Sequence, residues 1–271
     1  MKVLFSFSQK GDSAVNEDVC GFTKDVAWVV DGATDVFKLN TLGKENEVYW
    51  YVNELQNKFK KIFNSETSNL IDGIQKSVKE LYQELMTVPG LPEIPIYKLP
   101  TYTVAAIKIN ADNIMEYYIL GDSSIAYIHD GKHYLLEDTR VSKFSLLNRK
   151  KLKEYYAGPK KVNSPLRIFQ KTRAKANAKN GYPIGTINGE GLSSGLTGKI
   201  SLSKGDKVII FSDGFKDYFS ENREAINKFF TADLISAEID KMYDFLNNID
   251  KFQNNPRPKK IDDASLLLME I

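Results

Sequence analysis

One cysteine and two histidines in 271 residues leave little room for several kinds of chemistry. Cys20 can form no intrachain disulfide, so the fold must rest on its core, and the count suits a reducing compartment. It lies in an apolar stretch, where a thiol reads as a small core residue and not a nucleophile. His129 and His133 are four apart but straddle Asp130-Gly131, a turn signal, so they are not the helical histidine pair of a zinc protease. No apolar run reaches the ~18 residues of a membrane span. Met1 to Ser8 is too short for a secretion signal. The expectation is a cytoplasmic protein. Charge of one sign is missing too: 37 Lys and Arg against 35 Asp and Glu leave +2, which gives no general attraction to nucleic acid or an anionic membrane. Nor is there a nucleotide-binding glycine motif. Gly198-Lys199 is followed by Ile200, Ser193 stands where a P-loop needs its leading glycine, and Gly189-Glu190-Gly191 does not continue into a dinucleotide fingerprint. Gly189 to Gly198 reads as a surface loop.

The chain is long enough to bury a sizeable core, and it shows no repeat, low-complexity tract or domain boundary, so residues 1–271 read as a single domain. Apolar runs predict strands at Val3–Ser8, Val19–Thr23 and Ala27–Asp31, then Tyr102–Ile109, Ile114–Leu120, Ile125–His129, His133–Leu136, Lys207–Phe211 and Ala264–Ile271. The short links near the start favour antiparallel neighbours. Steps of three and four predict two amphipathic helices, through Val48, Val52, Leu55, Phe59 and Ile62, and through Leu70, Ile74, Val78, Leu81 and Leu85. Pro89, Pro92, Pro95 and Pro100 mark a connector that cannot be helical. From about Ser142 to Asn188 the pattern is helical and basic, with Arg167, Lys171, Lys175 and Lys179 spaced to line one helix face. Such a stripe is ordinarily just solvated. Further helices are expected around Glu221–Phe230 and through Ile235, Ile239, Met242, Leu246 and Ile249, before a polar linker at Gln253–Lys260. Strands and helices come in groups instead of alternating, which argues α+β.

The apolar strands border carboxylates. Ala27-Trp28-Val29-Val30 ends in Asp31-Gly32, and Val208-Ile209-Ile210-Phe211 leads to Ser212-Asp213-Gly214. Asp122 follows a third strand, Asp262 precedes another, and Glu17-Asp18 flanks a short one. One strand ending in Asp-Gly is usually a turn. Four such sites suggest a shared cluster at a sheet rim, where carboxylates would repel unless a cation lay among them. Oxygen-only ligands select hard ions, Mg²⁺ or Mn²⁺ over zinc.

In chain order, Asn16-Glu17-Asp18, Asp31-Gly32-Ala33-Thr34, Gly121-Asp122-Ser123, Ser212-Asp213-Gly214 and Asp262-Asp263-Ala264-Ser265 resemble the motifs of the metal-dependent protein phosphatases of type 2C, bacterial members in particular. The resemblance implies a four-layer αββα sandwich, two antiparallel sheets face to face with helix pairs outside. It implies that Asp31 bridges two metals, the Gly32 carbonyl binds one, and Asp213 and Asp262 hold the other. Glu17 and Asp18 would act largely through bound waters, and Asp122 with Asp213 would supply a weaker third site. The implied reaction is hydrolysis of phosphoserine or phosphothreonine in proteins by water activated between two Mg²⁺ or Mn²⁺ ions, without a protein nucleophile. The implied partners are a phosphorylated protein substrate or a serine/threonine kinase, met by a monomer in signalling.

Two departures stand out. Family members commonly carry an arginine four residues before the Glu of Glu-Asp, where it grips the substrate phosphate; here that position is Ser13, and Lys10 or Arg173 are the candidate replacements. Many eukaryotic members have a histidine after Asp-Gly, proposed to protonate the leaving group, where this chain has Ala33; bacterial relatives often lack it too. A flap segment at about 138–188 is expected to decide substrate choice. Ser13 also motivates the alternative of a catalytically impaired pseudophosphatase that binds a phosphoprotein or kinase without turnover.

Overall fold

The structure, a computed structural model, describes residues 1–65, 69–157, 164–222, 224–248, 259 and 261–271. Three strands, β1 (Lys2–Gln9), β2 (Asp18–Phe22) and β3 (Val26–Ala33), precede helices α1 (Glu47–Ser65) and α2 (Leu70–Leu85). Then come β4 (Thr101–Ile109), β5 (Ile114–Leu120), β6 (Ser124–His129) and β7 (Lys132–Glu137), and helices α3 (Ser142–Ala157) and α4 (Pro165–Arg173). The chain continues through β8 (Gly185–Thr186), β9 (Leu196–Ser201), β10 (Lys207–Phe211), α5 (Lys216–Glu221), α6 (Ala225–Lys228), α7 (Ala232–Asn248) and β11 (Ala264–Glu270).

Two antiparallel sheets result. One has the order β1-β11-β10-β6-β7; the other runs β2-β3-β4-β5-β9, with β8 paired to β4. Alternate residues of one strand serve two different cores. Ala27 and Val29 point between the sheets, where they meet Val208, Ile210 and Leu267, while Trp28 and Val30 point outward to Tyr51, Leu55 and Phe59 of α1. A strand covered on both faces reads as an unbroken apolar run, which is why β3 lacks the polar alternation of a half-exposed strand. On the far side Ile209, Phe211, Leu266 and Leu268 pack against Phe215, Phe229 and Met242. The four layers of the expected αββα sandwich are therefore present. Their outer layers differ: α1 and α2 form a true pair, whereas α5, α6 and α7 share the opposite face. Each fully buried Trp28 or Phe59 side chain contributes about 1.5–3 kcal/mol by leaving water. Asn69 starts α2 by accepting a hydrogen bond from the Asp72 N–H at 2.9 Å.

Several local expectations need correction. The proline-rich connector is free of α-helix but contains two single 3₁₀ turns, Leu91–Glu93 and Ile96–Lys98; Pro92 sits in the first turn, where a missing N–H costs nothing. Helix does not extend to Asn188. It ends at Arg173, and Asn177, at φ 56°, uses its side chain to bind both the N–H and the carbonyl of Ile184 at 3.0 Å. The four-residue basic stripe is thereby broken, and Lys175 lies over the Phe144 ring instead. The expected loop at Gly189–Gly198 holds as far as Gly195, with a 3₁₀ turn at Leu192–Ser194, but its last three residues enter β9, an edge strand with only Leu196 and Ile200 as apolar residues. Helix resumes at Lys216, earlier than the Glu221 start that the sequence suggests. Ile249 and most of the Gln253–Lys260 linker lie outside the described residues. Among the described residues no helix is long and apolar enough to cross a membrane.

Candidate metal centre

The acidic strand ends converge at one open end of the sandwich, and they come from both sheets. Asp31 stands in β3 opposite Asp18 of β2 on one side and Thr103 of β4 on the other. Asp122 lies in the short link that carries the chain from β5 in one sheet to β6 in the other, and Asp213 follows β10. One carboxylate oxygen each from Asp31, Asp122 and Asp213 lie within 4.8 Å of one another. All three side chains are half-buried and, with Asp262, line a cavity of about 240 Å³. Val141, Phe144, Phe169, Tyr182 and Ile184 supply the larger apolar side chains of its lining, interspersed with Ser145, Asn148 and Thr172.

Like charges directly opposite in a sheet are destabilising, and this site concentrates them. Burial, then the neighbouring charges of Asp18, Asp213 and Asp122, push the Asp31 carboxyl well above the usual carboxylate range. Burial and then Asp122 and Asp262 do the same to Asp213. Asp122 is raised, mainly by burial, although Lys216 opposes the change. Asp18 is raised too, chiefly by burial, and its Oδ2 is buried with no hydrogen-bond partner among the described residues. An orphaned carboxylate oxygen beside three clustered carboxylates is a donor set that fits a hard divalent cation, which takes oxygen ligands and offsets this repulsion.

The glycines of both Asp-Gly pairs are required by close approach of backbone. β3 does not turn at Gly32 but runs on to Ala33; a Cβ at Gly32 would sit 2.5 Å from Val48 Cγ1 and 2.7 Å from the Glu17 carbonyl oxygen, to which the Gly32 N–H donates at 3.0 Å. A Cβ at Gly214 would lie 2.2 Å from the Asp263 carbonyl oxygen. Gly214→Ala is accordingly expected to destabilise the fold by about 1–3 kcal/mol, read as a lower midpoint in urea denaturation; an unchanged midpoint would show that β11 yields freely there.

Asp263 is the structural tie of the site. Its Oδ1 accepts from the Gly11 N–H and its Oδ2 from the Glu17 N–H, both at 2.8 Å, binding the Glu17-Asp18 segment to the start of β11. Glu17 is 4% exposed, accepts from Asn46 Nδ2 at 3.2 Å through Oε1 and faces Lys259 Nζ at 3.4 Å through Oε2. Its carboxyl is raised by burial, against the pull of Lys259. Asp262 Oδ1 also faces Lys259, at 3.1 Å.

The three candidate phosphate-binding residues are dispersed. Arg173 lines the carboxylate cavity, its Nη1 donating to Thr101 Oγ1 at 2.6 Å and its Nη2 to the Thr34 carbonyl at 3.3 Å. Ser13 instead lines a second cavity, of about 430 Å³, with Glu17, Lys38, Lys44 and Asn46; Thr34 borders both. Lys10 donates to the Ala14 carbonyl at 3.4 Å and lines neither cavity. Lys259 and Asn46 are not discernible as site residues from sequence, because a lysine in a polar stretch and an asparagine ahead of a helix carry no mark of burial.

No family sequence model matches this chain, and no curated protein matches it by sequence. Solved structures do. The catalytic domain of the serine/threonine protein phosphatase PstP in complex with two manganese ions superposes with TM-score 0.60 at 14% identity, covering 98% of this chain and 96% of that one. The PPM Ser-Thr phosphatase MsPP from Mycobacterium smegmatis, in complex with cacodylate, gives 0.59 at 12% identity and full coverage of both chains. The serine/threonine phosphatase Stp1 from Staphylococcus aureus gives 0.57 at 15% identity over 98% and 94%. The chain has the fold of the PPM serine/threonine phosphatases. On that fold it carries a carboxylate cluster able to hold metal.

Proposed function

We propose that this protein is a metal-dependent phosphomonoester hydrolase acting on phosphoserine and phosphothreonine in proteins. The observation that carries the reading is the meeting of Asp31, Asp122 and Asp213 oxygens within 4.8 Å at the open end of a phosphatase fold. Asp31, Asp213 and Asp262 with the Gly32 carbonyl would hold two Mg²⁺ or Mn²⁺ ions, with Asp122 and Asp213 available to a third. Glu17 and Asp18 would accept hydrogen bonds from the ions' waters. Bound there, divalent ions lower the pKa of water and offset charge on a transferring phosphoryl group.

The protein's own residues do the rest. Arg173 directs a guanidinium at the cavity from α4, where it can take phosphate oxygens in place of the arginine that Ser13 lacks. Phe144, Phe169 and Ile184 line the cavity with apolar surface, which lowers the local dielectric around the charged groups. The segment at about 138–188 supplies these walls and is our candidate for substrate choice within one domain spanning 1–271. A phosphorylated protein is the natural partner, the single cysteine suits the cytoplasm, and a monomer is the expected form.

Turnover of a phosphothreonine peptide by the full chain is expected with Mn²⁺ or Mg²⁺ and lost with chelator. In the same assay Arg173→Ala should raise KM by about tenfold or more. Equal turnover in chelator, or none at saturating metal, would sink the proposal; the second result would make the chain a binding module.

A further inference from the structure

The acidic cluster is divided by how its charge is met. At one end Asp31, Asp122 and Asp213 crowd together, and the neighbouring Asp18 Oδ2 has no hydrogen-bond partner among the described residues. At the other end the Lys259 ammonium, with a side chain only 13% exposed, lies 3.1 Å from Asp262 Oδ1, 3.4 Å from Glu17 Oε2 and 3.8 Å from Asp263 Oδ2. Asn46 takes the other oxygen of Glu17. Both Glu17 oxygens are thus engaged without any metal, whereas the Asp31 end has no cation of its own within bonding reach among the described residues; Lys216 is turned to Glu137 at 3.4 Å.

We propose that Lys259 is a built-in counter-ion that competes with divalent metal for the Glu17 and Asp262 side of the cluster. This rests on the metal-centre reading above. Lys259 makes the two metal sites unequal: one ion binds tightly where carboxylates are uncompensated, and a second binds weakly because it must displace or tolerate a fixed positive charge a few ångströms away. The lysine, with Asn46, also holds the Glu17 side chain in place when the metal level is low. Lys259 is a positioning residue for the metal and is not assigned a contact with substrate.

The test is Mn²⁺ binding, followed by loss of the free-ion EPR signal and by titration calorimetry, on the full chain and on Lys259→Gln, Lys259→Met and Lys259→Arg. The wild type is expected to show one tight ion and one weaker. Removing the charge in the Gln and Met variants should tighten the second ion by about tenfold or more, with the first changed by less than about threefold. Lys259→Arg keeps the charge and should bind as the wild type does. A Gln or Met variant that folds only when Mn²⁺ is present supports the proposal, since the ion then supplies the missing charge. Identical second-site affinities in wild type and Gln variant overturn it, as does a Gln and Met pair that stays unfolded even in Mn²⁺. If no Mn²⁺ binds to any of the four proteins, the metal-centre reading falls, and this inference with it.

Discussion

Phosphopeptide turnover by Asp31→Asn is expected to fall by at least about 10³-fold at saturating Mn²⁺, a loss of roughly 4 kcal/mol of barrier lowering. Asp31 is the carboxylate through which the others interact: it lies opposite Asp18 in the sheet and within 4.8 Å, oxygen to oxygen, of Asp122 and Asp213. Asn keeps the shape and halves the donor capacity for a cation. It also removes one charge from a group of mutually repelling ones. The metal-free variant should therefore be as stable as the wild type or more so, while activity collapses. That opposite movement of stability and rate separates a metal ligand from a packing residue, whose loss lowers both. Initial rates and a thermal melt on the same preparation decide it; a rate within tenfold of wild type would remove Asp31 from the centre of the chemistry.

The second large effect concerns metal removal and pH. In the metal-free fold the carboxyls of Asp31, Asp18 and Asp213 are raised well above 3.8, the value of an unperturbed Asp, and Asp122 is also raised, in each case chiefly by burial. A carboxyl with a raised folded-state pKa binds more protons folded than unfolded. Stability contributed by those protons is complete below 3.8 and is lost as pH climbs through the window between 3.8 and the raised values. A tenfold difference in proton affinity between the folded and unfolded chain is worth about 1.4 kcal/mol per group, so the chelator-treated protein should melt several degrees lower at pH 7.5 than at pH 5.5. Saturating Mn²⁺ should reverse the trend at pH 7.5, because a ligand at about 100 times its Kd contributes about 2.7 kcal/mol to the folded state. Calorimetric melts at the two pH values, with and without metal, test this; a metal-free melting point that rises with pH would mean that the carboxylates are compensated by something other than a divalent ion.

Much of the architecture is written in local pattern. Val48 to Ile62 and Leu70 to Leu85 step at helical spacing because each helix has one face against a sheet, and both helices are legible to within three residues at either end. β3, β4, β10 and β11 are legible as apolar runs because both of their faces are covered. β9 is not, since an edge strand with two apolar residues buries too little to leave a trace. The overlong helix at 142–188 has a similar cause: helical spacing of lysines carries no information about where packing stops, and the stop is set by Asn177 binding Ile184, seven residues on.

What the sequence determined by itself is that acidic residues stand at the ends of strands apolar enough to be buried, and that glycine follows two of them. Burial of a strand is a property of its own residues, so its end can be read locally. Which ends meet is a matter of long-range pairing: β1 must join β11 and the chain must cross between sheets at Asp122 before Asp31, Asp122 and Asp213 share one cavity. Only the tertiary structure decided that Ser13 and Arg173 line different cavities, Arg173 the one bordered by the clustered carboxylates, and that Lys259 is held among carboxylates 3–4 Å away. The energy of a charge depends on which other charges surround it in space, and that neighbourhood exists only once the sheets have paired.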